Sequence, residues 1–225
     1  MIKNKITVYV NGKINNDNYI SFLSDYYDVT VVKSSNYTGK EKIDLVLFIG
    51  GEDITPQYYN ENIGSKTKTN IERDKYEKEY LFNRFRNVPK LGICRGAQAL
   101  TVWSGGKLIQ DVEGHATGSL HEIEMSTPYT DSIYKITSTH HQMMYPFEMS
   151  EDNFIILGYS KYFLSNKYLN GNDTNIDLPK DFVEPEIVFY PKTNSLCIQG
   201  HPESANCPQH TKEMIHILIN YYLKV

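Results

Sequence analysis

Cysteine is scarce in this 225-residue sequence. Cys94, Cys197 and Cys207 cannot form a paired framework, which excludes a small disulfide-stapled fold and fits a reducing compartment. Positive charge is also in short supply. Against 27 Asp and Glu stand 23 Lys and Arg, for a formal net charge of −4. That leaves no basic patch for nucleic acid and no polybasic signal for a membrane surface. Long apolar runs are missing as well. None approaches the length of a membrane span, and the run in the opening MIKNKITVYVNGK is far too short for a signal-peptide core. The expectation is a soluble, cytoplasmic protein with no nucleic-acid or membrane partner, in which the N-x-S/T triplets at Asn36 and Asn172 are chance matches. No internal repeat, linker, ATP-binding loop or synthetase segment is visible. One domain over residues 1–225 is therefore expected.

What is present is a strand–helix rhythm. Ile6–Val10 and Val29–Lys33 are β-branched runs separated by a weak helical stretch around Tyr19–Tyr27. Leu45–Ile49 is continuously apolar and stops at Gly50–Gly51, as a strand buried on both faces does. Residues 51–70 read as loop. Ile71–Arg86 has Tyr76, Tyr80, Leu81 and Phe85 at helical spacing, Pro89 ends it, and Lys90–Ile93 enters another strand. This βαβ order predicts a parallel sheet with helices on both faces. After Asp111 the pattern changes to short strands at His121–Met125, Tyr134–Thr139, Phe154–Tyr159, Glu186–Tyr190 and Leu196–Gln199, which predict antiparallel extensions. Residues 161–181 are polar and turn-rich and read as a surface insertion. Pro208–Leu223 reads as a closing amphipathic helix with Met214, Ile215, Leu218 and Ile219 facing inward.

The stretch LGICRGAQ, residues 91–98, carries the chemistry. A strand ends in Gly92-x-Cys94-x-Gly96 and runs directly into a helix. Two glycines let strand and helix approach closely, while the residue between them is left strained and, by this reading, exposed. A thiol there faces the positive end of a helix, which favours thiolate. The backbone N–H of Arg95 points where an oxyanion would form. These are the parts of an acyl-transfer site. A thiolate nucleophile needs an imidazole to move protons and a third group to orient it. Of seven histidines, His201 stands out, because it follows a strand and flexible Gly200, and Glu203 lies two residues on. The same HPESANCPQH segment superficially resembles a zinc-deaminase pattern, but the second cysteine is missing and no metal ligand set is assigned.

LGICRGAQ with Gly105–Gly106, Gln110–Asp111 and IQGHPES resembles the class I glutamine amidotransferase-like superfamily. Within it the sequence is most similar to the peptidase C26 branch, which holds γ-glutamyl hydrolases and γ-glutamyl-γ-aminobutyrate hydrolases. FIGGEDITPQYY resembles that branch's loop after the third strand, ERDKYE its Arg-Asp segment, and STHHQMM its His-His-Gln segment. The motifs run in order over residues 45–205. The resemblance implies a flavodoxin-like three-layer α/β/α sandwich, with a mostly parallel central sheet and antiparallel extensions. It implies Cys94 as nucleophile, His201 as general base and acid, Glu203 as orienting carboxylate, and the Gly51 and Arg95 N–H groups as oxyanion hole. Gln98 and His141 are implied at the substrate, with His140 the second choice of its pair. No metal, nucleotide or flavin cofactor is implied.

The sequence also departs from that pattern. Gly200 stands where a large aromatic is usual, which implies a roomier pocket or one filled from elsewhere. Thr101 and Trp103 are unusual in the helix, and the 161–181 segment is long. The expected activity is hydrolysis of a γ-glutamyl amide, in glutamine or a γ-glutamyl conjugate, through a thioester on Cys94. The alternative is a glutaminase subunit that passes ammonia to a separate synthetase. A third reading is a catalytically silent binding protein on the same fold.

Overall fold

A computed structural model describes residues 3–126 and 133–225. Its main sheet is built from β1 (Asn4–Val10), β2 (Tyr27–Lys33), β3 (Leu45–Phe48) and β4 (Lys90–Ile93), and from later strands. β5 (Lys107–Ile109) and β6 (Asp111–Val112) precede β7 (Leu120–Met125), β8 (Tyr134–Thr137), β9 (Met143–Tyr145) and β10 (Ile155–Ser160). β11 (Tyr168–Asn170), β12 (Thr174–Asn175), β13 (Pro185–Tyr190) and β14 (Ser195–Ile198) complete the strands among the described residues. The helices are α1 (Asp17–Ser24), α2 (Ile71–Glu77), α3 (Arg95–Trp103) and α4 (Gln209–Leu218).

Nine strands lie in the order β2-β1-β3-β4-β14-β13-β10-β7-β8. From β2 to β14 every neighbouring pair is parallel, and from β14 to β8 every pair is antiparallel. The parallel half is covered on both faces, and side-chain alternation divides its residues between them. Val8, Val10, Leu45, Leu47, Leu196 and Ile198 pack with Phe22 and Leu23 of α1 and Met214, Ile215 and Leu218 of α4. Tyr9, Val46, Phe48 and Cys197 point the other way, against Ala97 and Leu100 of α3 and against Leu81 and Phe85. The result is a three-layer α/β/α sandwich with an antiparallel extension, as the strand–helix rhythm predicts.

The structure differs from the sequence reading in several places, among them the closing helix, which is regular over Gln209–Leu218 and widens to a π-type turn over Ile219–Leu223. The 71–86 helix is regular only to Glu77 and continues as a wider π-type turn over Lys78–Asn83, with the Arg84 N–H bonded five residues back to Glu79 O. Leu81 and Phe85 still reach the core from it. Residues 161–181 are not turns alone. β11 pairs with β6 and β12, and Gln110 ties this sheet to the loop before α2 by donating to Asn62 O and Asn170 Oδ1. β5 and β9 pair with each other and have no counterpart in the sequence reading, because strands of three residues are too short to show a period. No helix among the described residues is long and apolar enough to cross a membrane.

The arrangement places chemistry at one end of the sheet. β3, β4 and β14 are neighbours and parallel, so the residues after their carboxyl ends converge, where open α/β sheets bind ligands. Those residues are Gly50–Gly51, Cys94 and His201.

Candidate active site

Cys94 sits between β4 and α3 with φ 54° and ψ −116°, a backbone conformation that costs a non-glycine residue about 1–3 kcal/mol. Two bonds hold it there. Its N–H donates to Ile198 O at 2.8 Å, and its carbonyl accepts the first helical bond of α3 from Gln98 at 3.1 Å. The flanking glycines leave no room for anything larger. A Cβ on Gly92 would stand 2.6 Å from Gly96 O, and one on Gly96 would stand 2.2 Å from Phe48 O. The elbow expected from the sequence is present, but its thiol is not exposed. Cys94 is only 7% accessible, because Tyr19, Gly50 and His201 close around it. A Cβ on Gly50 would meet Tyr19 Oη at 2.7 Å, His201 Cε1 at 3.5 Å and Cys94 Cβ at 3.8 Å. The other cysteines have different settings. Burial in the sheet core pushes the Cys197 thiol well above its ordinary range, and burial pushes Cys207 up to about 11.

His201 follows β14 and is anchored by its N–H to Thr137 O at 3.0 Å. Its Nδ1 lies 2.7 Å from Glu203 Oε1, and its Nε2 lies 2.8 Å from Thr139 Oγ1. Burial alone would lower its pKa, but hydrogen bonds and charge from Cys94 and Glu203 outweigh burial and raise it to about 10. The place of the expected aromatic at Gly200 is filled from β8: a Cβ there would lie 2.7–2.9 Å from three carbons of Ile136.

Gly51 has φ 147°, and a Cβ on it would fall 2.0 Å from Arg73 Nη1. Arg73 supports this loop from beneath, donating to Gly50 O at 2.9 Å and to Glu52 at 2.7 Å. Arg95 opens α3, so its backbone N–H is one of the helix's unclaimed donors. Its side chain is buried and donates to Glu77 and, at 2.5 Å, to Asp74. Glu77 also accepts from Arg73 Nε at 2.9 Å. Burial would raise the Glu77 carboxyl, but Arg95 and Arg73 hold it below the usual range. A single buried ionic network therefore fixes both the Gly50–Gly51 loop and the start of α3.

The remaining residues expected at the site divide into two groups. Gln98 is buried on α3 and donates from Nε2 to Gln142 O at 2.9 Å. His141 is partly open, with Nε2 3.1 Å from Asp53 Oδ2 in the loop after β3. That hydrogen bond, working against burial, raises its pKa. His140 turns the opposite way, into the protein. It is 4% accessible, its Nδ1 donates to Gln142 O at 2.8 Å, and burial pulls its pKa down to about 3.

Residues 33–150, just over half the chain, match the Peptidase C26 family. The chain belongs to the peptidase C26 family. Over 125 residues it is 34% identical to Protein NtpR of Enterococcus hirae, a match covering 46% of this chain and 52% of that protein. Over 120 residues it is 29% identical to the glutamine amidotransferase-like protein YvdE of Lactococcus lactis, covering 45% and 51%. The chain spans about half the length of the curated relatives it matches. Among solved structures, a GMP synthase subunit protein from Thermoplasma acidophilum superposes with a TM-score of 0.63 at 15% identity, over 97% of this chain and 94% of that one. A glutamine amidotransferase from Thermotoga maritima gives 0.54 at 13%, over 100% and 85%. These likenesses are of fold.

This peptidase C26 chain also has site neighbours that the sequence reading does not assign. Tyr19 comes from α1, accepts from the Gly50 N–H at 3.2 Å, and has its pKa raised by burial and by the nearby charges of Glu203 and Cys94. Thr139 meets His201. Nothing local marks either residue, since their partners lie 31 and 62 positions away. Arg73 and Asp74 do carry a signal, the ERDKYE motif, but the motif does not say what the residues touch.

Proposed function

We propose that this chain hydrolyses γ-glutamyl amides through a thioester on Cys94. One observation carries the reading. His201 is held by Glu203 at Nδ1, and its Cε1 and the Cys94 Cβ border the same point beside Gly50, at the junction of a strained elbow and a helix N-terminus. With its pKa raised to about 10, His201 carries a proton at neutral pH that it can give to a leaving group. Cys94 Sγ attacks the amide carbonyl, and the Gly51 and Arg95 N–H groups receive the oxyanion. The proton held on His201 passes to the leaving nitrogen as the C–N bond breaks, releasing the amine. His201 then takes a proton from water, whose oxygen attacks the thioester carbonyl. The C–S bond breaks, a free γ-carboxylate leaves, and Cys94 returns to its resting state. Glu203 orients the ring and stabilises its charge in both halves.

The substrate end is best served by the Gly51–Tyr59 loop, Gln98 and His141, all of this one chain, which supports a free-standing hydrolase. The synthetase-coupled reading draws support from two fold neighbours. One is the GMP synthase subunit protein, and the other is a Thermotoga maritima structure named PurLQS, with a TM-score of 0.57 at 17% identity over 98% of this chain and 99% of that one. A partner-free assay separates the two. The isolated chain is expected to release amine from at least one member of a panel of glutamine and γ-glutamyl amides. Silence across the panel, relieved by adding a synthetase, establishes the coupled role instead. Silence that nothing relieves, with ligand still bound, indicates a binding protein.

A further inference from the structure

Beside the Cys94 site, on the antiparallel side of the sheet, lies a group of buried side chains that the proposed hydrolysis does not use. His115 and Glu186 are 0% accessible, His140 is 4% accessible, and their ligand-type atoms all lie within 4.8 Å of one another. Hydrogen bonds outside the cluster fix where the protons sit. His115 Nε2 lies 3.1 Å from Glu184 Oε2, an acceptor, so Nε2 donates there, and in the neutral tautomer with that proton Nδ1 offers a lone pair. His140 Nδ1 lies 2.8 Å from the Gln142 carbonyl, so Nδ1 carries the proton and Nε2 offers a lone pair. His121 Nε2 donates to Glu186 Oε1 at 2.9 Å and orients that carboxylate.

In these tautomers the inward-facing atoms are acceptors. His115 Nδ1, His140 Nε2 and Glu186 Oε2 are buried and have no hydrogen-bond partner. Glu186 Oε1 stands 3.5 Å from His115 Nδ1 and 4.0 Å from His140 Nε2. Unpaired acceptors gathered away from water are costly unless something positive lies among them. A tetrahedral zinc ion with bonds near 2.0–2.1 Å sets its ligands about 3.3 Å apart, close to the 3.5 Å between Glu186 Oε1 and His115 Nδ1, and the wider spacings, up to 4.8 Å, close in around the ion. Two imidazoles whose far nitrogens donate to a carboxylate and a carbonyl form the outer arrangement that metal-binding histidines use.

We propose that His115 Nδ1, His140 Nε2 and Glu186 bind a divalent transition-metal ion, zinc by the match of two nitrogens and a carboxylate to its preferences, with a water completing the tetrahedron. Glu186 O accepts from the Gln199 N–H at 2.8 Å, two residues before His201, and His140 follows Thr139, which touches His201. The ion thus clamps two segments that flank His201. The proposal stands independently of the chemistry assigned to Cys94.

The test is metal analysis of the full, tag-free chain purified from zinc-supplemented medium. About one zinc per chain is expected after dialysis, with a thermal midpoint that falls on treatment with dipicolinate and returns on adding zinc chloride. Folded Glu186→Gln and His140→Gln variants are expected to retain less than about a tenth of the metal, and His121→Asn to weaken zinc binding about 10–100-fold. Cys94→Ser is expected to keep its zinc, which separates this site from the thiol. Cobalt(II) added to the metal-free protein is expected to give a ligand-field spectrum that Glu186→Gln abolishes and Cys94→Ser preserves. The proposal is overturned if the wild-type chain takes up neither zinc nor cobalt and chelation leaves its melting unchanged. It is equally overturned if folded Glu186→Gln keeps the metal while Cys94→Ser loses it. Should the variants fail to fold, the wild-type metal content and the chelator-dependent midpoint decide alone.

Discussion

The two halves of the sheet hold their important side chains by different means. In the parallel half, β1, β3 and β14 send apolar residues to both faces, and Cys94 is fixed by backbone: a strained turn, two glycines and two main-chain hydrogen bonds. In the antiparallel extension, β7 and β13 bring His121 and Glu186 together, held by their hydrogen bond and charge. The histidines show the contrast. His216 on α4, against Phe22, Tyr26 and Tyr27, is pulled down to about 4 by burial. For His121, the Glu186 carboxylate outweighs burial and raises the pKa. His201 sits at the seam and takes something from both halves, following β14 on one side and anchored by its N–H to Thr137 O of β8 on the other, while Cys94 and Glu203 raise its pKa against burial. A reactive group is best located by rigid backbone, and its protonation is best set by a neighbouring carboxylate.

Breaking the backbone side of this comparison has the largest expected effect. Cys94→Ala should lower amine release by at least about 10⁴-fold with the fold retained. Cys94→Gly should be equally inactive yet melt above Cys94→Ala, because glycine relieves the positive-φ strain that alanine keeps. Equal melting of the two would remove strain from the account of the elbow. Next comes the buried ionic network under the elbow. Glu77→Gln leaves Arg95 and Arg73 short of a buried counter-charge and should cost about 3–5 kcal/mol in denaturant unfolding. A cost near zero would mean that the elbow does not depend on that network. Gly51→Ala should reduce turnover about 10²–10³-fold and lower stability as well, since alanine is strained at φ 147° and its Cβ displaces Arg73 and reshapes one oxyanion donor. The smallest effect is a slope. The folded pKa of His216 is depressed to about 4 from an ordinary value near 6.5, so the unfolded chain binds a proton that the folded chain refuses. Stability should therefore fall as pH drops from about 6.5 to about 4, and His216→Gln should flatten that fall.

Much of the parallel half is legible in the sequence because its signals are local. Gly92-x-Cys94-x-Gly96 occupies five consecutive positions, His201 and Glu203 are two apart, and the apolar runs at 6–10 and 45–49 are long enough to show what they bury. The burial of Cys94 is not legible, because the groups that cover it come from α1 and from the loops after β3 and β14. The His115–Glu184 and His121–Glu186 contacts span 69 and 65 residues, so nothing in LHEIEM or VEPEIVFY marks those side chains as partners. β5, β6 and β9 have three residues or fewer and carry no readable period. Gly200 is recognisable as a departure, but its filling by Ile136 depends on how β8 and the end of β14 pack, which no local pattern shows.

The central claim is that Cys94 forms the thioester and that the single chain completes the site around it. The most direct measurement treats the isolated protein with an electrophilic glutamine analogue and maps the adduct by mass spectrometry, alongside the γ-glutamyl amide assay. The account predicts one adduct, on Cys94, lost activity in proportion to labelling, and no modification of Cys197 or Cys207. Labelling at either of those cysteines with turnover retained in Cys94→Ala would contradict it.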